Sequence, residues 1–323
     1  MKYGTIAGID KPVSRLIQGA LVAAGMGEEK AFELLDAVFA LGCNTFDTAV
    51  IYGQTDRILG KWIRERGIRD KVVILAKGAH HNADRRRVTP FDIASDMHDT
   101  LARMQLDCVD LYVLHRDDPN VPVGPIVEAL NEHVREGRIK AFGGSNWTHT
   151  RIQEANEYAA AHGLVPFAVT NPQYSLVPQR QEPWENCVSI GGPAGEEARA
   201  YYAACGIAVL SWSSLGAGFL AGRITRENAA QWKEGYEEQA VRCYGSPESF
   251  DRLDRVRELA AAKGVEVPQI GMAFLMNQPM NVFALVGCKS ADEMASSAAA
   301  LEIALTPAEL EYLDLKRDSL PGP

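Results

Sequence analysis

Val72-Val73-Ile74-Leu75-Ala76 is a run of five aliphatic residues with no polar side chain on either parity, and it ends in Lys77-Gly78. A strand that keeps one face in water alternates apolar and polar residues, whereas a strand apolar on both faces is expected in a parallel sheet covered on each side. Runs of the same character recur on both sides of it, at Arg15 to Leu21, Cys43 to Ala49, Cys108 to His115, Ile139 to Asn146, Phe167 to Tyr174, Ile207 to Ser214 and Val282 to Cys288. With Val72 to Gly78 they make eight strand candidates. Helical periodicity fills the intervals. Leu34, Ala37, Val38 and Leu41 fall at i, i+3, i+4 and i+7 with Gly42 placed to close the helix, and Gly67, Gly137, Gly163, Gly206 and Gly264 punctuate later segments similarly. The repeat interval is roughly 30 residues, the length of one βα unit.

Such units fit either an open doubly wound sheet or a closed barrel. The first strand-to-helix turn lacks a G-x-G-x-x-G run, which removes the best support for a dinucleotide-binding open sheet. The expected fold class is therefore α/β, a (β/α)8 TIM barrel taking residues 1–323 as one domain, a length that single barrels reach. Two segments fall outside the repeat: a short N-terminal hairpin at Tyr3 to Pro12 and a long loop from Gly216 to Gly245 after the seventh strand. Loops of that length usually carry function.

With 46% hydrophobic and 23% charged residues the chain can bury a large core, and disorder is not expected. A formal net charge of -9 opposes capture by nucleic acid or an anionic membrane, both of which need a basic face. A small neutral or polar ligand fits better. Cys43, Cys108, Cys187, Cys205, Cys243 and Cys288 form no C-x-x-C pair and read as buried free thiols. Neither a signal-like apolar core after Met1 nor an apolar run long enough to cross a bilayer is present in the sequence, so a cytoplasmic location is expected.

Catalytic residues of such barrels gather at the C-terminal ends of the strands. Asp47 ends the second strand candidate, Tyr52 follows five residues later, Lys77 ends the third and His115 the fourth. Singly, each has a structural explanation: a lysine at a strand end is usually a solvated loop charge, a tyrosine before glycine a packed rim residue, and an aspartate before threonine a helix cap. Together, an acid, a phenol, an ammonium and an imidazole at three successive strand ends make a proton-transfer centre.

The constellation of Asp47, Tyr52, Lys77 and His115, set in Phe46-Asp47-Thr48-Ala49-Val50-Ile51-Tyr52-Gly53 and Asp110-Leu111-Tyr112-Val113-Leu114-His115, resembles the catalytic tetrad of the aldo-keto reductases. Gly143-Gly144-Ser145-Asn146 resembles the family segment that holds a nicotinamide carboxamide, which implies that role for Ser145 and Asn146; Asn171 stands where the family commonly has Gln. Ser211-Trp212-Ser213-Ser214-Leu215-Gly216-Ala217-Gly218 resembles the segment after the seventh strand. It implies Trp212, in place of the more usual Tyr, as the aromatic stacked on the nicotinamide, with Ser213, Leu215, Gly216 and Gly218 towards the pyrophosphate. Val286-Gly287-Cys288-Lys289-Ser290 resembles the adenosine-end segment, which implies Gly287, Lys289 and Ser290, with Ser297 and Glu293 where Asn and a basic or amide residue often make contact.

What the resemblance implies is hydride transfer between a nicotinamide dinucleotide and a small carbonyl compound. Tyr52 would be the general acid, its pKa lowered from about 10 by the Lys77 ammonium, with Asp47 holding Lys77 charged and a neutral His115 orienting the carbonyl. NADP(H) is the expected cofactor, with NAD(H) the alternative. Lys289 could meet a 2′-phosphate, while Ser290-Ala291-Asp292-Glu293 reads as a capping box, so the preference turns on where Glu293 points. Arg116-Asp117-Asp118 after His115, and His80-His81 past Lys77, give the mouth a polar character; His80, Arg116 and Trp147 are the expected substrate-pocket residues. They point to a sugar-like or hydroxycarbonyl substrate. No metal is expected, because His80, His81 and Asp84 do not complete a ligand set. Potassium-channel β subunits resemble the same family, so a cofactor-binding regulatory subunit with weak or no turnover is the alternative function.

Overall fold

Eight parallel strands close on themselves in the computed structural model, which describes residues 1–322. In chain order the strands are β1 (Tyr3–Gly4), β2 (Val13–Ser14), β3 (Leu16–Gly19), β4 (Thr45–Asp47), β5 (Val73–Gly78), β6 (Val109–Leu114), β7 (Ile139–Ser145), β8 (Val169–Asn171), β9 (Ala208–Ser211) and β10 (Asn281–Val286). The barrel runs from β3 to β10, and β10 returns to pair with β3. Each run read from the sequence supplies one of its strands. The helices are α1 (Glu28–Ala40), α2 (Thr55–Arg66), α3 (Pro90–Met104), α4 (Val123–Arg135), α5 (His149–Ala161), α6 (Glu196–Cys205), α7 (Gly235–Tyr244), α8 (Pro247–Lys263), α9 (Val267–Met276), α10 (Ala291–Ala299) and α11 (Pro307–Leu313). Among the described residues no helix is long and apolar enough to cross a membrane.

Strand alternation sorts the side chains into two layers. Ile17, Val73, Leu75, Leu111, Val113, Ala141, Val169, Ala208, Leu210 and Phe283 fill the barrel interior, joined by Ile6 and Val13 from the β1–β2 hairpin at its N-terminal end. Residues of the opposite parity, among them Phe46, Ile74, Tyr112, Phe142 and Val209, pack outward with Trp62, Ile93, Ile126 and Ile152 of the helices. Both faces of the barrel sheet are thereby covered, which is why Val72 to Ala76 carries no polar residue. At Gly143 an added Cβ would run into the Val169 carbonyl oxygen, so β7 and β8 reach each other only with glycine there.

The structure departs from the sequence reading at three places. The hairpin extends past Pro12, pairing Tyr3 with Ser14 and Gly4 with Val13, because proline has no N–H to give a ladder and pairing starts beyond it. The stretch from Gly216 to Gly245 is not all loop: its last third is α7, whose Ala240, Cys243 and Tyr244 bury against Val177, Phe219 and Leu220. The six cysteines are all free, but Cys205 at the end of α6 is exposed and Cys108 partly so.

Candidate active site

Extending the inward parity of each strand to its C-terminal end leads to one layer of polar side chains. Thr45 is followed by Asp47, Leu75 by Lys77, Val113 by His115, Gly143 by Ser145, Val169 by Asn171 and Leu210 by Trp212. Lys77 and Asp47 form a buried ion pair, their side chains 3% and 5% exposed. Tyr52 lies on the turn between β4 and α2, where Val50 N–H donates to the Lys77 carbonyl at 3.0 Å and Tyr52 N–H to that of Ala49 at 2.9 Å. Its ring centroid is 5.2 Å from Lys77 Nζ and 5.7 Å, edge-on, from the His115 ring. His115 is in turn 4.9 Å from the His80 ring, and its backbone N–H donates to Gly78 at 2.7 Å.

The electrostatics of this cluster follow from burial first. Burial opposes the Lys77 ammonium, but the Asp47 carboxylate and the Tyr52 oxygen outweigh it and hold the lysine above its ordinary pKa. Tyr52 corrects the sequence expectation: its pKa is raised above 10, not lowered. Desolvation of the phenolate exceeds the pull of Lys77 and Arg116, because the Lys77 charge is already answered by Asp47, which itself pushes Tyr52 up. His115 is held well below 6.5 by burial and by the nearby Lys77 and Arg116 cations, so its imidazole is neutral, and its Nδ1 is buried without a protein partner. The arrangement offers a protonated phenol and a neutral imidazole beside a fixed positive charge.

Four residues that support the tyrosine turn, Thr48, Thr55, Asp56 and Arg103, were not singled out from the sequence. Thr48 Oγ1 donates to Asp56 Oδ1 at 2.6 Å and lies 2.8 Å from Thr55 Oγ1, tying the end of β4 to the start of α2, while Arg103 donates to the Val50 carbonyl at 2.8 Å. An acid in the first turn of α2 was the available signal.

Around the rim, Ser145 Oγ donates to the Asn171 carbonyl at 3.1 Å, and Asn146, in a left-handed conformation at φ 57°, donates to Ser145 Oγ at 3.1 Å and accepts from Val188 N–H at 3.1 Å. The shorter Asn171 turns its amide nitrogen to the Leu210 carbonyl in the barrel wall. Trp212 is half-buried, its Nε1 buried without a partner. Beyond it the backbone turns through left-handed residues at Ser213, Gly216, Ala217 and Gly218, and at Gly216 a Cβ would meet Val177 Cγ2 at 2.6 Å. Leu215 is packed at the edge of this strap. At the end of β10, Gly287 and Lys289 are exposed, Ser290 caps α10 by accepting from Glu293 N–H at 3.2 Å, and Glu293 Oε2 accepts from Lys289 N–H at 2.7 Å. Ser297 is half-buried, 4.0 Å from Cys288 Sγ.

The expected polar mouth is reorganised. His80 is half-buried beside His115, and Arg116 is almost wholly buried near Tyr52. Asp117 turns away to Arg151 at 3.3 Å, and Asp118 accepts from Asn120 N–H at 3.1 Å. Trp147 does not line the pocket: its indole is fully buried against Phe167, with centroids 5.2 Å apart, and its Nε1 donates to the Arg116 carbonyl at 3.2 Å. A large apolar ring gains more in that layer than at a wet rim. In its place the long loop after β8 contributes Trp184, 54% exposed and 6.0 Å from the Trp212 ring, together with Cys187 near Arg116. The signal for that loop was the interval between β8 and β9, most of which precedes α6.

Burial of the histidines makes an acid response predictable. His80 and His115 are held below 6.5, and His133, buried beside Arg138, is lowered to about 4. An unfolded chain titrates these rings near about 6.5, so below that pH it takes up protons the folded chain refuses. Their contribution to stability is therefore full above about pH 6.5 and lost as pH falls towards the folded values. Calorimetry is expected to show Tm falling from about pH 6.5 to about pH 4; a Tm level across that window would contradict the burial of neutral rings.

Comparison with known proteins bears on the family and the fold. A sequence profile of the aldo/keto reductase family matches residues 16–318. The chain is 25% identical to the uncharacterised oxidoreductase YrpG of Bacillus subtilis over an alignment covering 100% of this chain and 97% of that protein. It is 26% identical to a probable aryl-alcohol dehydrogenase, AAD4, of Saccharomyces cerevisiae, covering 90% of this chain and 88% of the relative. A crystal structure of the thermostable aldo-keto reductase Tm1743 with the inhibitor epalrestat superposes with a TM-score of 0.73 at 21% identity, covering 98% of this chain and 100% of that one. That last likeness is one of fold.

Proposed function

The chain belongs to the aldo/keto reductase family, and from that premise we propose that it reduces a small polar aldehyde or ketone, sugar-like or hydroxycarbonyl, to the alcohol, with Tyr52 as general acid. Like its family, it is an NAD(P)H-dependent oxidoreductase acting on carbonyl groups. The observation that carries the acid role of Tyr52 is its gathering with the Asp47–Lys77 pair and neutral His115 at one rim, and the polar substrate is supported by His80 and Arg116 next to His115. The rim suits a dinucleotide: the face of Trp212 is partly open, its Nε1 lacks a partner, and the glycine-containing strap at 213–218 permits close backbone approach. Ser145, Asn146 and Trp212 would hold the nicotinamide end, and Lys289 and Ser290 the adenosine end.

When bound, the dinucleotide supplies hydride. Reduction of a carbonyl leaves charge on oxygen, and Tyr52 is placed to give that oxygen its proton, forming the O–H bond of the alcohol and leaving a phenolate. Lys77 steadies that phenolate until it is reprotonated. His115, neutral, can donate one hydrogen bond to the carbonyl oxygen without competing as an acid. Steady-state assays with a panel of aldehydes and ketones test the reading: small polar carbonyls are expected to show higher kcat/KM than bulky aromatic or steroid ketones. A clear win for the bulky apolar ketones overturns the polar assignment. Tight dinucleotide binding with negligible turnover of the whole panel would favour the regulatory-subunit reading instead.

The same reading includes a preference for NADP(H). Glu293 folds back onto the start of α10, where its carboxylate accepts from the Lys289 backbone, so its charge is answered by the helix terminus. Lys289 Nζ lies 5.2 Å from the Tyr236 ring centroid, and no carboxylate among the described residues pairs with it. Lys289→Ala is expected to weaken NADPH by about 1.5 to 3 kcal/mol, the worth of a hydrogen bond to a charged group, and to leave NADH nearly unchanged. Dissociation constants at one fixed salt concentration measure this. Equal weakening of both dinucleotides, or a wild-type preference for NADH, counts against the phosphate contact.

A further inference from the structure

We infer that Arg116 anchors an anionic group of the substrate, so that the carbonyl compounds this protein prefers are oxo acids. The inference rests on the reductase reading above and adds the substrate's charge to it.

Burying a charge is costly unless a partner and hydrogen bonds answer it. The other buried charged side chains obey this rule: Asp47 pairs with Lys77, Asp56 with Arg103, Asp92 with Arg85, Asp96 with Arg87, Asp110 with Arg69 and Arg252 with Asp314. Arg116 is the exception. It is 6% exposed, yet no carboxylate among the described residues lies within ion-pair distance of it. Its Nη1 donates only to the neighbouring His115 carbonyl, at 2.9 Å, and its Nε is buried with no partner.

The acids nearest to it are held by other partners and form no ion pair with it. Asp117, the next residue, is engaged by Arg151 at 3.3 Å. Glu182 acts on Arg116 through space but makes no ion pair with it: its Oε2 accepts from Cys187 N–H at 3.2 Å and its residue faces solvent. The Arg116 carbonyl is pinned by Trp147 Nε1, and Arg151 lies over the Trp147 ring at 5.4 Å, so the backbone carrying the guanidinium is fixed from below. Arg116 directly follows His115 and donates to its carbonyl, so it sits at the same end of β6 as the imidazole, and its charge acts on Tyr52, His115 and His80.

A buried, pre-positioned guanidinium with an unused N–H offers the planar fork that a carboxylate matches. A carboxylate that reaches Arg116 while its own carbonyl lies at Tyr52 and His115 belongs to one short molecule, an oxo acid with a few atoms between the two groups. The net charge of -9 disfavours anions at a distance, but screening beyond about 8 Å at physiological salt leaves the local cation to decide.

The test compares 5-oxopentanoate with its uncharged methyl ester, at saturating NADPH and again NADH, in wild type, Arg116→Gln and Arg116→Lys. Wild type is expected to favour the acid by about 10- to 100-fold in kcat/KM, mainly through KM, the size of one charge-assisted contact. In Arg116→Gln that ratio should collapse towards one, and Arg116→Lys should keep part of it through its charge. The wild-type ratio needs no variant, so a poorly folding substitution does not remove the test. No wild-type preference for the acid overturns the inference while leaving the reductase reading intact. An equal loss for acid and ester in Arg116→Gln also overturns it, because Arg116 would then serve the reacting oxygen alone. Absence of turnover with both aldehydes and both dinucleotides overturns the reductase reading and this inference with it.

Discussion

Tyr52→Phe is expected to lower kcat by roughly 10² to 10⁴-fold, the range of a positioned general acid, while dinucleotide affinity stays nearly unchanged. The substitution removes one oxygen and keeps the ring, so the edge-on contact with His115 at 5.7 Å survives and the turn between β4 and α2 keeps its backbone bonds. The loss falls on the transition state, where the carbonyl oxygen takes up charge. The pH profile carries the same assignment. Burial raises Tyr52 above 10, and the protonated phenol is the form that reduces, so kcat for reduction should hold through the neutral range and fall only as pH climbs past that ordinary value. His115 adds no break near neutrality, since it is already neutral above its lowered pKa. Retention of most of the wild-type kcat in Tyr52→Phe would remove Tyr52 from the acid role.

Lys77→Met is expected to cost about 3 to 5 kcal/mol of stability as well as activity, because it leaves the Asp47 carboxylate buried without its partner. Chemical denaturation should show the gap from wild type narrowing as pH falls: once Asp47 takes up a proton, its buried charge and the penalty go together. The double variant Lys77→Met with Asp47→Asn should recover much of the stability, since neither charge remains, and little of the turnover, since Tyr52 then lacks the Lys77 ammonium that steadies its phenolate. Recovery of turnover in the double variant would show that the pair is structural alone. Failure to recover stability would show that Lys77 contributes through packing more than through charge.

Much of the site was legible because strand parity is a local property. Val73, Leu75 and Lys77 alternate with Ile74 and Ala76, and once the first two are known to fill the interior, the third must point in at the rim. The same reasoning places His115, Ser145, Asn171 and Trp212. Trp147 was misplaced because it lies beyond the end of β7, where alternation no longer dictates direction and the apolar layer beside Phe167 captured the ring. Asp117 read as a charge at the mouth for a similar reason: its partner Arg151 lies on α5, and nothing near Asp117 in the chain announces it.

The sequence by itself determined the eight strands, their coverage on both faces and the residue types at their C-terminal ends, because periodicity and composition are written along the chain. Tertiary structure alone decided the charge states and the vacant partnerships. Tyr52 was expected below 10 from Lys77 alone, but desolvation sums over all the chain packed around a group, and that sum raised it. Arg116 was expected at the pocket as one of three charges at a polar mouth; only the folding of Asp117 towards Arg151 and the sheltering of the guanidinium left it buried and without an ion-pair partner among the described residues. A side chain's direction within a strand follows from its neighbours in sequence, whereas its dielectric surroundings and counter-ions come from segments brought together only when the barrel closes.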